Sequence, residues 1–494
     1  MTLLTALARA LAAEAGRAQP IRTVRHVHLS GRPLVFIPLQ LAGEACAPLA
    51  AIAGDDRDKP RMLTVYEPRD RTQRFDFAAD LAEVVLGYID GYTTEDPGSE
   101  APYPDAPQLL VPNNGGITFT RLLSRSTRFR RTEGEYAVRQ SVPLLGRWLN
   151  FYSERSEAPA SALLLSMTAV LADHWASGQS ATEDANLAAL LGWIDPPEGM
   201  TGAAAARAAE DPVRCPPAGP ATDPTFDNEV LAARIGAIRA AKARGDGAAL
   251  QRAQLALETV LKTQLEPTWE LMWRAVDLLR ALPAGGHVED RWQADRRAFT
   301  GHVNWLRQGN PPAPRKDSAV AAAGKLARME RDQQRLAVQR AYDDPLVMAE
   351  YRLTSDAFAG IVVDAQPDRL DTSGKRAKLR PWITVDTSDE VIAGPGTEFA
   401  SPGRPGQQAH VISVAPDGER TRVILELQNG MGRSLTPLPG SVPAAGEAVT
   451  YTTLTDDFQR GPTFPQIADT PWTHGGPPPQ YLGGADEDAT EEWS

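Results

Sequence analysis

The spacing of apolar positions changes along the chain, and each change predicts a different kind of structure. Val24 to Leu29 and Leu34 to Leu39 are extended-type runs joined through Ser30-Gly31-Arg32-Pro33, a connection short enough for a hairpin, and Met62 to Tyr66 adds a strand. Phe77, Leu81, Val84, Val85 and Ile89 then recur at helical spacing. From Ile117 onward the pattern is helical, with Leu163, Leu164, Met167, Val170 and Leu171, then Leu187, Leu190, Leu191 and Ile194, as buried stripes. Residues 1–195 are therefore expected to form a mixed α/β domain.

Residues 196–225 are rich in Ala, Gly, Pro and acidic residues without a sustained apolar period, which predicts a linker. Residues 226–343 are expected to be a helical domain. Leu231, Ile235 and Ile238, then Leu250, Leu257, Leu261 and Leu265, then Trp269, Trp273, Val276 and Leu279 predict successive helices, punctuated by Arg244-Gly245-Asp246-Gly247 and Pro267. Trp292, Phe299, Val303 and Leu306 supply another, stopped by Gly309-Asn310-Pro311-Pro312, and a charged helix follows over roughly Ser318 to Tyr342. In residues 344–460 the runs shorten to Ile361–Val363, Ile383–Val385, Val411–Val414, Val423–Leu427 and Val449–Tyr451, the spacing of a small β-barrel, SH3-like or OB-like. Residues 461–494 are Pro- and Gly-rich and end in Asp486, Glu487, Asp488, Glu491 and Glu492, so a disordered acidic tail is expected. The expected class is thus α+β multidomain: a mixed N-terminal unit, a central helical bundle and a C-terminal barrel.

A chain of 494 residues, 42% of them apolar, can build several cores. No apolar run reaches the ~18 residues of a membrane span, and Arg9, Glu14 and Arg17 interrupt the Ala-rich start, so a cytoplasmic protein without a membrane partner is expected. Cys46 and Cys215 stand far apart in no CxxC pattern, which suits a reducing compartment and suggests neither a disulfide framework nor a thiolate zinc site. The net charge of −12 argues against wholesale coating of a duplex, leaving local patches to carry any phosphate contact.

Lysine is scarce enough to test some chemistries exhaustively. Lys325 and Lys375 alone follow a Gly, and Leu326 and Arg376 come next, so the Gly-Lys-Ser/Thr of a P-loop is missing. The residues two positions before the lysines are Arg57, Ala240, Val260, Pro314, Ala323, Ser373 and Arg376, which removes the Asp/Glu-x-Lys pattern of restriction-type nucleases. No HExxH occurs. His26 and His28 would share a strand face and are the weak lead toward a metal, with Asp55, Asp56 or Glu67 as further ligands; an exposed strand face is the plainer reading, and no metal or cofactor is expected.

Basic clusters carry the remaining signal. Arg121, Arg125, Arg128, Arg130 and Arg131 interleave with Phe119 and Phe129 beside Pro112-Asn113-Asn114-Gly115-Gly116, a turn suited to presenting N–H groups to an anion. Arg328, Arg331 and Arg335 share a helical face, supported by Arg315, Lys316, Lys325 and Arg340. Arg369, Lys375, Arg376, Lys378 and Arg380 precede Trp382, a candidate base-stacking platform. Arginine is the default cation of this composition, so a solvated or carboxylate-paired surface is the plain alternative for each cluster.

Phe358-Ala359-Gly360-Ile361-Val362-Val363, Gly406 to Val414, Val423 to Leu427 and Gly446-Glu447-Ala448-Val449 resemble the accessory β-barrel of superfamily 1 helicases, over about a fifth of the chain. That resemblance implies a contact with nucleic acid or with a motor protein, and no helicase motor accompanies it here. The leading expectation is a non-catalytic accessory or adaptor subunit of a nucleic-acid-handling complex, in helicase-associated repair or phage defence. The alternatives are a divergent hydrolase or nuclease built on the N-terminal domain, and a protein-binding scaffold.

Overall fold

The computed structural model describes residues 2–94, 101–212, 215–216, 219–455 and 461–465. The acidic tail expected beyond residue 460 lies outside them except for 461–465. The protein is mixed α+β and divides into two compact units, one of Thr5–Gln333, which helix α1 (Leu3–Ala15) enters at Thr5, and one of Gln334–Gly461 with the first residues up to Leu4.

In the first unit, helix α1 (Leu3–Ala15) precedes strands β1 (Leu34–Gln40), β2 (Pro48–Gly54) and β3 (Arg61–Thr64). Helix α2 (Arg71–Asp90) is capped by Asp70, whose side chain accepts from the Gln73 N–H. Then come β4 (Leu109–Val111), α3 (Asn114–Thr127), α4 (Ser141–Glu157), β5 (Leu164–Ser166) and α5 (Met167–His174). The sheet order is β3-β2-β1-β4-β5, with β1, β4 and β5 parallel and β1, β2 and β3 antiparallel.

Two sequence expectations change here. Residues 24–29 form no hairpin with β1, which pairs instead with β2, Ile37 opposite Ile52. Leu164, expected with Leu163 in a helical stripe, lies in β5; a short apolar run buried on both faces carries no alternation to distinguish strand from helix.

Helices α6 (Leu187–Ile194) and α7 (Gly202–Ala209) follow, then α8 (Ala232–Arg244), α9 (Gly247–Arg280) and α10 (Val288–Arg307). Residues 202–209, expected within a linker, pack against α6: Ala205, Ala206 and Ala209 are buried, and a Cβ on Gly192 would lie 2.9 Å from that of Ala205. Small residues allow this close approach, so the Ala-Gly composition serves packing. Farther on, the Gln40 N–H donates to the Pro220 carbonyl and the Thr222 N–H to the Gln40 carbonyl, tying 219–222 to the end of β1.

Nor do residues 226–310 form a core of their own. Helix α9 runs unbroken through Pro267 and lies against β1 and β2, placing Leu257, Leu261, Leu265, Trp269 and Trp273 in the same core as the sheet. Burial of that stripe offsets the ~3 kcal/mol that an interior proline costs a helix.

Gly202 supplies a direct test. A Cβ there would stand 2.6 Å from the Trp193 ring, so Gly202→Ala is expected to destabilise the first unit by about 1–3 kcal/mol in urea denaturation, where a linker residue would be neutral.

Helix α11 (Ala319–Asp343) contains the boundary between units, and α12 (Pro345–Leu353) belongs to the second. There β6 (Ala357–Gln366), β7 (Trp382–Thr387), β8 (Glu398–Ala400), β9 (Gln408–Asp417), β10 (Arg420–Leu427) and β11 (Ala448–Thr452) pair antiparallel in the order β7-β10-β9-β8-β11-β6. Strand β6 also pairs with β7, so the circuit closes. Strand β7 alternates half-buried and buried positions along its length, directing Ile383, Val385 and Thr387 into a core with Phe358, Phe399 and Tyr451. Strand β8 leaves no alternating signal in the sequence, since Phe399 is its single large apolar residue.

Candidate nucleic-acid interface

The structure separates the residues of the densest basic cluster. Asn113 caps α3, its side-chain oxygen accepting from the Gly116 N–H, and its amide donates to the Gly219 carbonyl at 2.9 Å. A Cβ on Gly115 would fall 2.5 Å from Cδ of Pro220, so the turn read as an anion cradle is covered by the chain itself.

Arg128 and Arg130 are buried. The Arg128 guanidinium lies 4.7 Å from the Phe129 ring centre and donates to Oδ1 of Asn150 at 2.7 Å, while Arg130 donates from Nε to the Ser126 carbonyl and lies over Phe75. Arg121 pairs with Glu157 at 2.8 Å. Arg125 and Arg131 remain exposed. Of the five, Arg128 and Arg130 are thus committed to packing and Arg121 to an ion pair, and Arg125 and Arg131 stay at the surface. Helix α11 carries Arg328 and Arg335 exposed and Arg331 half-buried, with Lys325 directed to Glu157 at 3.8 Å.

The third cluster keeps a cationic tip. Leu370–Asp371 and Lys378–Leu379 pair antiparallel, and the Ser373 N–H donates to the Asp371 carboxylate, closing the turn between them. That N–H, together with the nearby cations, holds the Asp371 carboxyl below its ordinary value. Lys375, Arg376 and Lys378 are exposed on this hairpin. Among the described residues no carboxylate lies within ion-pair distance of Lys375 or Arg376, and Lys378 stands opposite Asp371 in the ladder. By contrast Arg352, Arg369, Arg404, Arg420 and Arg422 each pair with a carboxylate.

Trp382 supports the hairpin. The Arg369 guanidinium sits 4.0 Å from the Trp382 ring centre and 2.8 Å from Glu426, and the indole N–H donates to the same carboxylate at 3.0 Å. Arg380 donates to the Gln428 carbonyl. Arg369 thus takes the stacking position on the indole, and Arg380 anchors the hairpin base.

The two histidines that lead toward a metal are held in the packing of the first unit, His26 buried and His28 half-buried. The His26 backbone N–H donates to Nε2 of His174, whose Nδ1 faces the Val170 carbonyl, and His28 stacks on Trp292 at 3.9 Å. Among the described residues no group of three or more His, Cys, Asp or Glu side chains is placed to hold a metal. Burial pushes the Cys46 thiol up to about 12, which keeps it protonated and unreactive at neutral pH.

The first unit contains a cavity that no sequence motif marks. It joins α3, α4, α10 and the proline-rich loop after α10, with Arg147, Phe151, His302 and Trp305 on its walls. Its lining comes from segments more than a hundred residues apart, and no local pattern announces it. Among the described residues, no helix is long and apolar enough to cross a membrane. No family model matches this chain, and neither the curated proteins nor the solved structures provide a match.

Proposed function

We propose that this protein is a non-catalytic adaptor of a nucleic-acid-handling assembly, with the hairpin of the second unit contacting a single-stranded phosphate backbone. The observation that carries this reading is the exposed tip of Lys375, Arg376 and Lys378 on a hairpin whose other cations are committed to carboxylates, carbonyls and an indole. Exposed cations on a supported loop release counterions when they meet phosphate, which favours binding without base readout. The resemblance of residues 358–363, 406–414, 423–427 and 446–449 to a helicase accessory barrel supports a motor protein as the assembly partner.

Labelled single-stranded DNA and RNA titrated into the full chain at about 50 mM salt test the reading. Changing Lys375, Arg376 and Lys378 together to Ala is expected to weaken binding by about tenfold or more while leaving the fold intact. Equal affinity of variant and wild type would refute the hairpin as the contact.

A further inference from the structure

The cavity beside α4 has a volume of about 240 Å³ and combines a flat apolar wall with positive charge. His302 of α10 stacks on Phe151 of α4 with ring centres 4.4 Å apart and planes inclined by 13°, and Trp148 meets the imidazole edge-on. Trp305, one helical turn on, stands 47% exposed at the same cavity, and Pro312 to Pro314 form a further wall. The aromatic wall accepts a flat ring.

The charge is unusual. Arg147 is half-buried, and among the described residues its guanidinium meets no carboxylate at ion-pair distance; it donates to the Asn310 carbonyl at 2.5 Å. Burial lowers its pKa from the ordinary guanidinium value, so this is a cation held partly out of water without a counter-charge. Burial and Arg147 together hold His302 at about 4, leaving the imidazole neutral at pH 7. Arg128 lines the same cavity, as does Asn150, which accepts from Arg128 and donates to Glu154. Glu154 is exposed and is the one acidic residue among the lining residues. Arg147, with no carboxylate at ion-pair distance among the described residues, gives the cavity its positive charge, beside one rim carboxylate and a neutral imidazole.

We propose that this cavity binds a small organic anion carrying a single flat ring, the ring against the His302–Trp305 wall and the anionic group on Arg147. The volume is below the range of about 300–1,000 Å³ usual for drug-sized ligands, which sets the size at one ring with one charged substituent. The anion supplies the counter-charge that Arg147 lacks, and the ring displaces water from apolar surface.

Calorimetric titration of the full chain with benzoate, acetate and benzyl alcohol, and with uridine 5′-monophosphate, uridine and inorganic phosphate, separates the contributions. At least one ring-bearing anion is expected to saturate one site, with its ring-only and charge-only counterparts weaker by about tenfold or more. Benzoate or the nucleotide as the saturating probe distinguishes a carboxylate from a phosphate ligand. Arg147→Met is expected to lose about tenfold or more in affinity, and Trp305→Leu, at a half-exposed position where folding is retained, to weaken binding severalfold. The triple hairpin variant should bind the probe as wild type does, so this site stands or falls independently of the nucleic-acid reading. Absence of saturable binding by either ring-bearing anion, or undiminished affinity in folded Arg147→Met or Trp305→Leu, would overturn the proposal.

Discussion

Replacing Asp295 with alanine is expected to destabilise the first unit by about 3–5 kcal/mol, because it removes one side of a buried charge pair. Asp295, on α10, is 0% exposed and accepts from Arg155 at 2.9 Å, from Oγ of Ser161 at 2.7 Å and from the Ala162 N–H at 2.6 Å. It ties α10 to α4 and to the chain entering β5. Burial pushes its carboxyl above the ordinary value even with these donors present, which shows how much solvation the site has given up. Alanine leaves the Arg155 guanidinium and the Ala162 N–H without their acceptor. Asn retains an acceptor oxygen and should cost clearly less. Urea denaturation of both variants, with Arg155→Ala and the double variant completing a thermodynamic cycle, measures the coupling.

The second large effect is acid destabilisation through His28 and His302, both held at about 4. For His28 the main cause is burial; for His302 it is burial followed by the neighbouring Arg147. The unfolded chain protonates these rings near pH 6.5 whereas the folded protein does so near pH 4, so the unfolded state binds more protons between those values. Their contribution is fully present above about pH 6.5 and is lost as pH falls toward 4. Allowing for partial solvent screening, each ring accounts for about 2–3 kcal/mol over that window. His302→Phe and His28→Phe should each flatten the fall in stability between pH 7 and pH 4.5. The same fall in both variants as in wild type would show that other groups carry it.

The sequence made the long helices and several strands of the second unit legible because a local period records one buried face. Phe77, Leu81, Val85 and Ile89 lie buried along α2, and the alternation of Ile383 and Val385 marks β7. The boundaries between units were less legible. Pro267 signals a helix stop, yet the packing of Leu265, Trp269 and Trp273 continues α9 through it. The Ala-Gly composition near residue 205 resembles a linker, yet its small side chains permit close packing of α7 on α6.

The basic clusters show the same limit. Spacing placed Lys375, Arg376 and Lys378 on a loop, but nothing local could reveal that Arg128 and Arg130 turn inward or that Arg369 covers Trp382. A guanidinium serves phosphate binding, aromatic stacking and buried hydrogen bonding with the same atoms. Which role it takes is settled by residues distant in sequence, such as Asn150 for Arg128 and Glu426 for Arg369.

The adaptor reading is tested most directly by the salt dependence of single-strand binding to the full chain between about 50 and 200 mM salt. Three phosphate contacts from Lys375, Arg376 and Lys378 predict that log affinity falls against log salt with a slope of about 2, and that the triple alanine variant loses that dependence. A wild-type chain that fails to bind at the lower salt, or a triple variant with the wild-type slope, would contradict it.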